Sequence, residues 1–378
     1  MKIGIDLRPF LRFETGVGTY IKNLLFSLSN IDMENDYYLF SSSFKQRFSP
    51  SKIPILNKMH FREFHYPVKL LNFFWYRLGW PTMDAFFNTR LDLTHSPTPL
   101  ICPTKGKAII TVHDLFFMDF PYMANKEARK FFYKNIHKSL QLSNGVIVVS
   151  HCIKKQLLER FEVNKEKIKV IYHGVDPEFS SDISLEEINN FRKSHSLSSR
   201  TLVFVGAMDP RKNLINLIEA FKIVHSNEPD ISLVIAGRRG SDYPALKKSI
   251  EKNHLKNRVK ILDYLSLREL KRLYRTGTIF VFPSYCEGFG LPLLEAMTSG
   301  MPVVASNRTA LPEIAGDAAL YFDPDQPQEM AASILHLLQD NDLREKLIEL
   351  GRKRAKEFDW EKTAKSTLSF YQKAYEEK

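Results

Sequence analysis

A two-domain chain of the doubly wound α/β class is what this sequence predicts, and three observations predict it. Its 378 residues exceed one ordinary hydrophobic core and suit two domains of roughly 150 to 200 residues each. Short β-branched runs alternate with longer segments of helical period along most of the length, the pattern of βα units and parallel sheets. The composition, 44% hydrophobic and 26% charged, is that of a globular chain and excludes a wholly disordered or collagenous one.

In the first half, Lys2 to Asp6 reads as a strand, Gly18 to Leu28 as a helix, and Ala108 to Val112 and Val146 to Val149 as further strands. In the second half the runs at Leu202 to Val205, Leu233 to Ala236, Val259 to Leu262, Ile279 to Phe282 and Val303 to Ala305 are continuously apolar, as buried parallel strands are. Helices lie between them; Leu214, Leu217, Ile218, Phe221 and Val224 share one face, as do Leu267, Leu270, Leu273 and Tyr274. A polar stretch from Asp176 to Ser184 places the domain boundary near residue 178, giving domains 1–178 and 179–359. Beyond a last strand at Ala319 to Phe322 helices take over. The final one, over 360–378, carries Leu368, Tyr371 and Tyr375 and fits either the second domain or the first.

Cys102, Cys152 and Cys286 are too few and too scattered for a disulfide framework or a zinc site, so a reducing compartment is expected. With no apolar run of 18 residues and no signal-peptide pattern at the N-terminus, the expected location is cytoplasmic. The net charge of +11 is uneven: residues 1 to 178 hold 25 Lys and Arg against 16 Asp and Glu, so this half carries +9. A basic field of that kind suits an anionic partner surface, or serves solubility alone.

Four segments carry candidate chemistry. Thr15-Gly16-Val17-Gly18 opens a helix after the first strand, where backbone amides suit an anion, although a structural turn is the plainer reading of this loop by itself. His113 follows the strand AIITV directly, at the carboxyl end where open α/β sheets place ligands, and suits hydrogen bonding to a ligand or proton transfer. Gly206 begins a loop ending Pro210-Arg211-Lys212-Asn213; two cations at a helix start are disfavoured by the dipole unless an anion compensates, the alternative being a solvated pair. In the stretch Pro283 to Ala296, a strand meets a loop with Glu287 and then Phe289-Gly290-Leu291, and Glu295 lies about one turn inside the helix that follows. Two carboxylates and helix-start amides suit a ligand bearing both hydroxyls and phosphates.

The Glu287-x7-Glu295 spacing, the Gly206 to Asn213 loop, Thr15-Gly16-Val17-Gly18 and Leu311-Pro312-Glu313-Ile314-Ala315-Gly316-Asp317-Ala318-Ala319 together resemble the retaining, nucleotide-sugar-dependent glycosyltransferases of family 4 over nearly the whole chain. The resemblance implies the GT-B fold, two Rossmann-like domains facing across a cleft, with acceptor on the first and donor on the second. It implies that Glu295 holds the donor ribose, that Glu287 with the backbone of Phe289, Gly290 and Leu291 holds the transferred sugar, and that Arg211 and Lys212 neutralise the diphosphate. Gly16 and Gly18 would approach that diphosphate and His113 the reacting sugar. It implies no cofactor and no metal, the substrate being a GDP- or UDP-linked sugar with mannose favoured. Asp323-Pro324-Asp325, the lone DxD, reads as a turn. The chain departs from the family pattern at Ala207, where Arg is frequent, at His173, where Asn is frequent, and at Asp263, where Gly is frequent.

Residues 58–81 hold eight aromatic side chains in 24 positions with Lys58, Arg62, Lys69 and Arg77 interspersed. The segment suits either an interfacial element, with Trp75, Tyr76 and Trp80 at headgroup depth on an anionic membrane, or an internal helix. The expected partners are thus a nucleotide sugar, a glycan or lipid-linked acceptor in cell-envelope polysaccharide assembly, and a membrane surface met peripherally. Two other classes stand beside this one. A nucleotide-sugar 2-epimerase on the same fold is disfavoured by the Glu287 to Glu295 spacing, and a nucleic-acid binder by the lack of any patterned basic motif.

Overall fold

The computed structural model describes residues 1–11, 15–44, 59–120 and 126–377; Lys58 lies outside them. The chain forms two compact units, Met1–Gly174 together with Asp359–Lys378, and Val175–Phe358. The chain thus leaves the first unit at Gly174 rather than at residue 178. The polar stretch there is not a bare linker: Asp176 caps a short 3-10 turn, Pro177–Ser180, whose Phe179 is buried edge-on to Tyr274.

The first unit is built on seven parallel strands, β1 Lys2–Asp6, β2 Asp36–Ser42, β3 His60–Phe64, β4 Leu93–Ser96, β5 Lys107–Val112, β6 Gly145–Val148 and β7 Ile168–Val170, in the order β3-β2-β1-β4-β5-β6-β7. The second holds six, β8 Arg200–Val205, β9 Ile231–Ala236, β10 Val259–Leu262, β11 Ile279–Phe282, β12 Val303–Ser306 and β13 Ala319–Phe322, in the order β10-β9-β8-β11-β12-β13. Both are the doubly wound arrangement in which strand order reverses beside the first strand of the unit. The crevice outside the carboxyl ends at that reversal is where such sheets bind ligands. In the second unit it lies between β8 and β11, and the loops leaving those two strands carry Arg211, Lys212 and Glu287.

Burial explains the strands. Leu202, Val203 and Phe204 of β8, all four residues of β11 and Val303 to Ala305 of β12 are fully buried, each large side chain contributing about 1.5–3 kcal/mol. The first unit has the same core in Ile3, Ile5, Ile109, Ile110, Val146 and Ile147. β4 is different, because its LTHS buries Thr94, His95 and Ser96. His95 is satisfied on both sides, its Nδ1 2.6 Å from the Tyr371 hydroxyl and its Nε2 2.7 Å from Thr111 Oγ1.

Tyr371 belongs to the last helix, Trp360–Glu376, which packs on the first unit. Asp359 caps it, Thr363 Oγ1 donates to the Tyr172 carbonyl at 2.8 Å, and the Phe370 ring fills the space beside Gly145, where a Cβ would meet it at 2.8 Å.

The aromatic segment divides between core and surface. After the edge strand β3 it forms a helix, Val68–Phe73, and a π-helical turn, Phe74–Leu78. Leu71 and Trp75 point inward and join Phe40, Met83, Phe87, Leu91 and Cys102 in one cluster, with the Arg8 guanidinium 4.2 Å from the Trp75 ring. Trp75, 2% exposed, therefore follows the internal-helix alternative, whereas Leu70, Phe73, Leu78 and Trp80 are 49 to 63% exposed.

Candidate active site

The constellation in the second unit starts from a loop that folds on its own cations. After β8 the chain passes Gly206 and makes a 3-10 turn, Pro210–Lys212, closed by Asn213 in the left-handed region at φ 58°. Asparagine tolerates that conformation, and its side-chain amide donates to the Pro283 and Pro324 carbonyls at 3.1 and 2.7 Å. The Tyr285 amide donates to the Arg211 carbonyl at 2.9 Å, so the loops after β8 and β11 are stitched together.

Between them sits Glu287. Its Oε2 accepts from Arg211 Nη1 at 3.0 Å and its Oε1 from Lys212 Nζ, while its backbone amide donates to Thr309 Oγ1 at 3.0 Å. Lys212 is 6% exposed and lies 5.0 Å from the centre of the Phe282 ring. Burial opposes ionisation of Glu287, but Lys212 and Arg211 outweigh it and hold the carboxyl down at about 2. Burial, then the charge of Arg211, lowers Lys212 from its usual value, against the pull of Glu287. The anion that the two cations require at a helix start is thus Glu287 itself. Glu287 holds both cations at the strand ends, the position where such a pair suits a phosphate.

Gly290, at φ 103°, precedes the helix Leu291–Thr298, and a Cβ there would lie 3.0 Å from Leu311. The Phe289 ring is buried edge-on to Phe358 at 5.7 Å and Leu291 is buried, so both side chains belong to the core. Glu295 lies on the second turn of this helix, and its Oε2 accepts from the Tyr274 hydroxyl at 2.9 Å. Burial raises Glu295 to about 7 in spite of that bond, and Asp176 adds to the rise. Tyr274 was legible only as one residue of an apolar stripe; nothing in its spacing marks its hydroxyl as a partner of Glu295.

The remaining candidates lie in the first unit. Thr15 caps the helix Gly16–Ile31 by accepting from the Gly18 amide at 3.2 Å. Gly18 is buried and its N–H is occupied, while Gly16, at the first helical position, has nothing within 4 Å of where its Cβ would be. His113 packs edge-on to Tyr20, and its Nε2 lies 3.2 Å from the Pro97 carbonyl, which can only accept. Nε2 therefore carries the proton, and Nδ1 accepts from His173 Nε2 at 3.3 Å. Burial lowers His113 to about 4, the Pro97 carbonyl opposing, so the ring is neutral with both nitrogens engaged. His173 in turn stacks on Trp360 at 5.7 Å. Arg308 pairs with both Asp323 and Asp325, and the Asp325 amide donates to Asp323 Oδ1 at 3.0 Å, so the DxD is a turn held by arginine. Among the described residues no cluster of His, Cys, Asp and Glu could hold a metal ion, and no helix is long and apolar enough to cross a membrane.

Comparison with known proteins places the chain in a family. The family model for glycosyl transferases group 1 matches residues 186–354, and that for glycosyltransferase family 4 matches residues 15–179. The chain is 30% identical over 299 residues to O-antigen chain mannosyltransferase B of Escherichia coli, covering 78% of each chain. It is 31% identical over 266 residues to the O-antigen chain mannosyltransferase RfbU of Salmonella typhimurium, covering 70% of this chain and 69% of that one. The crystal structure of Anabaena HepE in complex with UDP-glucose superimposes with a TM-score of 0.77 at 18% identity, over 99% of this chain and 100% of that one. The two doubly wound units are those of the GT-B fold, and the chain belongs to glycosyltransferase family 4.

Proposed function

We propose that this glycosyltransferase moves mannose from a nucleotide-diphosphate sugar, GDP-linked in preference to UDP-linked, to a glycan or lipid-linked acceptor in cell-envelope polysaccharide assembly. The observation that carries the reading is the constellation of buried Glu287 and Lys212 with half-buried Arg211 at the strand-order reversal of the second unit, with Glu295 on the adjoining helix. The two O-antigen mannosyltransferases among the relatives support mannose as the sugar.

In this reading Arg211 and Lys212 stabilise the charge that grows on the diphosphate as its bond to the sugar breaks, the step in which preorganised cations count most. Glu287 and the backbone of Phe289, Gly290 and Leu291 hold the sugar, and Glu295 accepts from the ribose hydroxyls. Glu287, clamped by two cations, is a poor nucleophile. Retention then follows from a displacement on one face: the bond from C1 to phosphate oxygen breaks, the bond to the acceptor oxygen forms, and the acceptor's proton passes to the leaving phosphate. No metal is required where Arg211 and Lys212 supply the charge. His113, neutral with both nitrogens occupied, acts as a fixed wall rather than as a base.

The exposed Leu70, Phe73, Leu78 and Trp80 support a peripheral membrane contact on the cytoplasmic side. Tyr76 joins this surface to the helix Lys126–Leu142 through its ring contact with Phe131 and the bond from Lys138 Nζ to its carbonyl. That helix adds the exposed Tyr133 with Lys130, Lys134 and Lys138, beside the exposed Lys69 and Arg77. Apolar side chains rimmed by cations complement an anionic bilayer.

A thermal-shift panel of GDP, UDP and ADP with their sugar conjugates tests the donor assignment, since a ligand that binds the folded state raises its melting temperature. The reading expects the largest shift with GDP and GDP-mannose. No shift with any nucleotide overturns it.

A further inference from the structure

Tyr274 combines two features that a core residue does not need together. It lies in the helix Leu267–Thr276, begun by a capping box of Ser266 and Glu269, and its ring is 1% exposed, edge-on to Phe179 at 5.7 Å and to Phe280 at 5.8 Å. Phenylalanine would meet that packing equally well. The hydroxyl is instead buried, 2.9 Å from Glu295 Oε2 and 3.3 Å from the Pro292 carbonyl, and burying it is costly unless it is bonded.

We propose that Tyr274 is a positioning residue of the donor site, whose O–H, by occupying Glu295 Oε2, fixes the carboxyl group so that Oε1 is left for the vicinal hydroxyls of the donor's ribose. The inference rests on the proposed assignment of Glu295 to that ribose. Packed edge-on against two phenylalanines, the ring transmits its orientation to the carboxyl. It also favours the form the site requires, because a carboxylate accepts from two hydroxyls while a neutral carboxyl must donate one of its positions.

The charged groups on the elements around Glu295 make this contribution matter. Asp176 caps the turn at 177–180 and Glu178 lies within it, pairing with Lys271 at 3.7 Å. Arg275 faces Arg352 and pairs with Asp182 at 4.0 Å, and Glu313 lies on the neighbouring helix Leu311–Ala315. Burial and the charge of Asp176 favour the neutral carboxyl; Tyr274 opposes both. Donor affinity therefore rises with pH through neutrality, and without the hydroxyl that rise moves upward.

Calorimetric titration of GDP-mannose, and of its analogue lacking both ribose hydroxyls, from pH 6 to 8.5 tests this on the full chain, on Tyr274→Phe and on Glu295→Gln. Tyr274→Phe is expected to weaken GDP-mannose about tenfold at pH 7 but less than about threefold at pH 8.5, and to change the analogue less than about twofold. Equal weakening at every pH and for both ligands would overturn the proposal and make the hydroxyl merely structural. If Glu295→Gln binds both ligands as the unmodified chain does, the ribose assignment itself fails, and the proposal with it. That result is read without the Tyr274 variant, so the two failures are distinct.

Discussion

Lys212 and Glu287, 75 residues apart and on loops leaving different strands of one sheet, meet as a buried ion pair in which each is under 10% exposed. Such a pair is weak evidence for stability, since desolvating both charges cancels much of their attraction. Its value lies in geometry. It holds a cation at the strand ends that would otherwise be mobile or absent, and Arg211 supplies a second.

Removing one partner is therefore expected to harm both fold and function. Lys212→Ala leaves Glu287 on Arg211 alone and is predicted to cost about 2–3 kcal/mol of stability and about 100-fold or more in kcat. Lys212→Met, closer in volume, recovers most of the stability and none of the rate. Urea titration and initial rates on the two variants separate these effects.

Glu295 should behave in the opposite sense. Its folded value of about 7 lies above the ordinary 4.5, so the neutral form is favoured on folding. That contribution is full below about pH 4.5 and is lost as pH rises through 7. Glu295→Gln is predicted to be more stable than the unmodified chain by about 2 kcal/mol at pH 8 and equal to it near pH 5, while losing donor affinity. Melting curves at the two pH values check it.

Acid should weaken the first unit through its buried imidazoles. Burial lowers His95 to about 3 and His113 to about 4, and lowers His173 as well. The unfolded imidazoles take up protons below about 6.5 while the folded ones do not. Stability is therefore complete above that pH and falls toward pH 4 by up to about 1.4 kcal/mol per unit for each histidine. His95→Gln, which keeps a donor and an acceptor between Tyr371 and Thr111, should reduce the slope by about a third. Denaturant midpoints between pH 7.5 and 5 measure it.

The two tryptophans of the aromatic segment should separate membrane binding from folding. Phe73→Glu with Trp80→Glu is predicted to cut co-sedimentation with vesicles containing anionic phospholipid by about tenfold and to leave the melting temperature within a few degrees. Trp75→Ala, in the core, should cost about 3–5 kcal/mol. Unchanged vesicle binding by the double variant would contradict the docking surface.

How much of this was legible follows from where the apolar side chains lie. In the second unit β8, β9, β11 and β12 are short, almost wholly buried runs, and the edges β10 and β13, though half-buried, stay mostly apolar; such runs are visible in a sequence. In the first unit β2, β3, β4 and β7 escaped. β4 reads as polar because His95 is buried through hydrogen bonds rather than apolarity, and β3 and β7 are edges that carry charge. The site residues could be listed one by one from their loops, but their pairing could not. That Arg211 and Lys212 are compensated by Glu287, and Glu295 restrained by Tyr274, depends on which strands are neighbours, and local spacing does not encode it. The aromatic segment stayed open between core and interface for a related reason: periodicity does not distinguish Trp75, turned into the core, from Trp80 five residues on, turned out.

The most direct test of the central claim is transfer of radiolabelled mannose from GDP-mannose to a bacterial membrane extract, with and without EDTA, by the unmodified chain and by Lys212→Met. The account predicts label in the acceptor fraction, indifferent to EDTA and at least about 100-fold slower with the variant. Label incorporated at an undiminished rate by Lys212→Met, or only when a divalent metal is present, would contradict it.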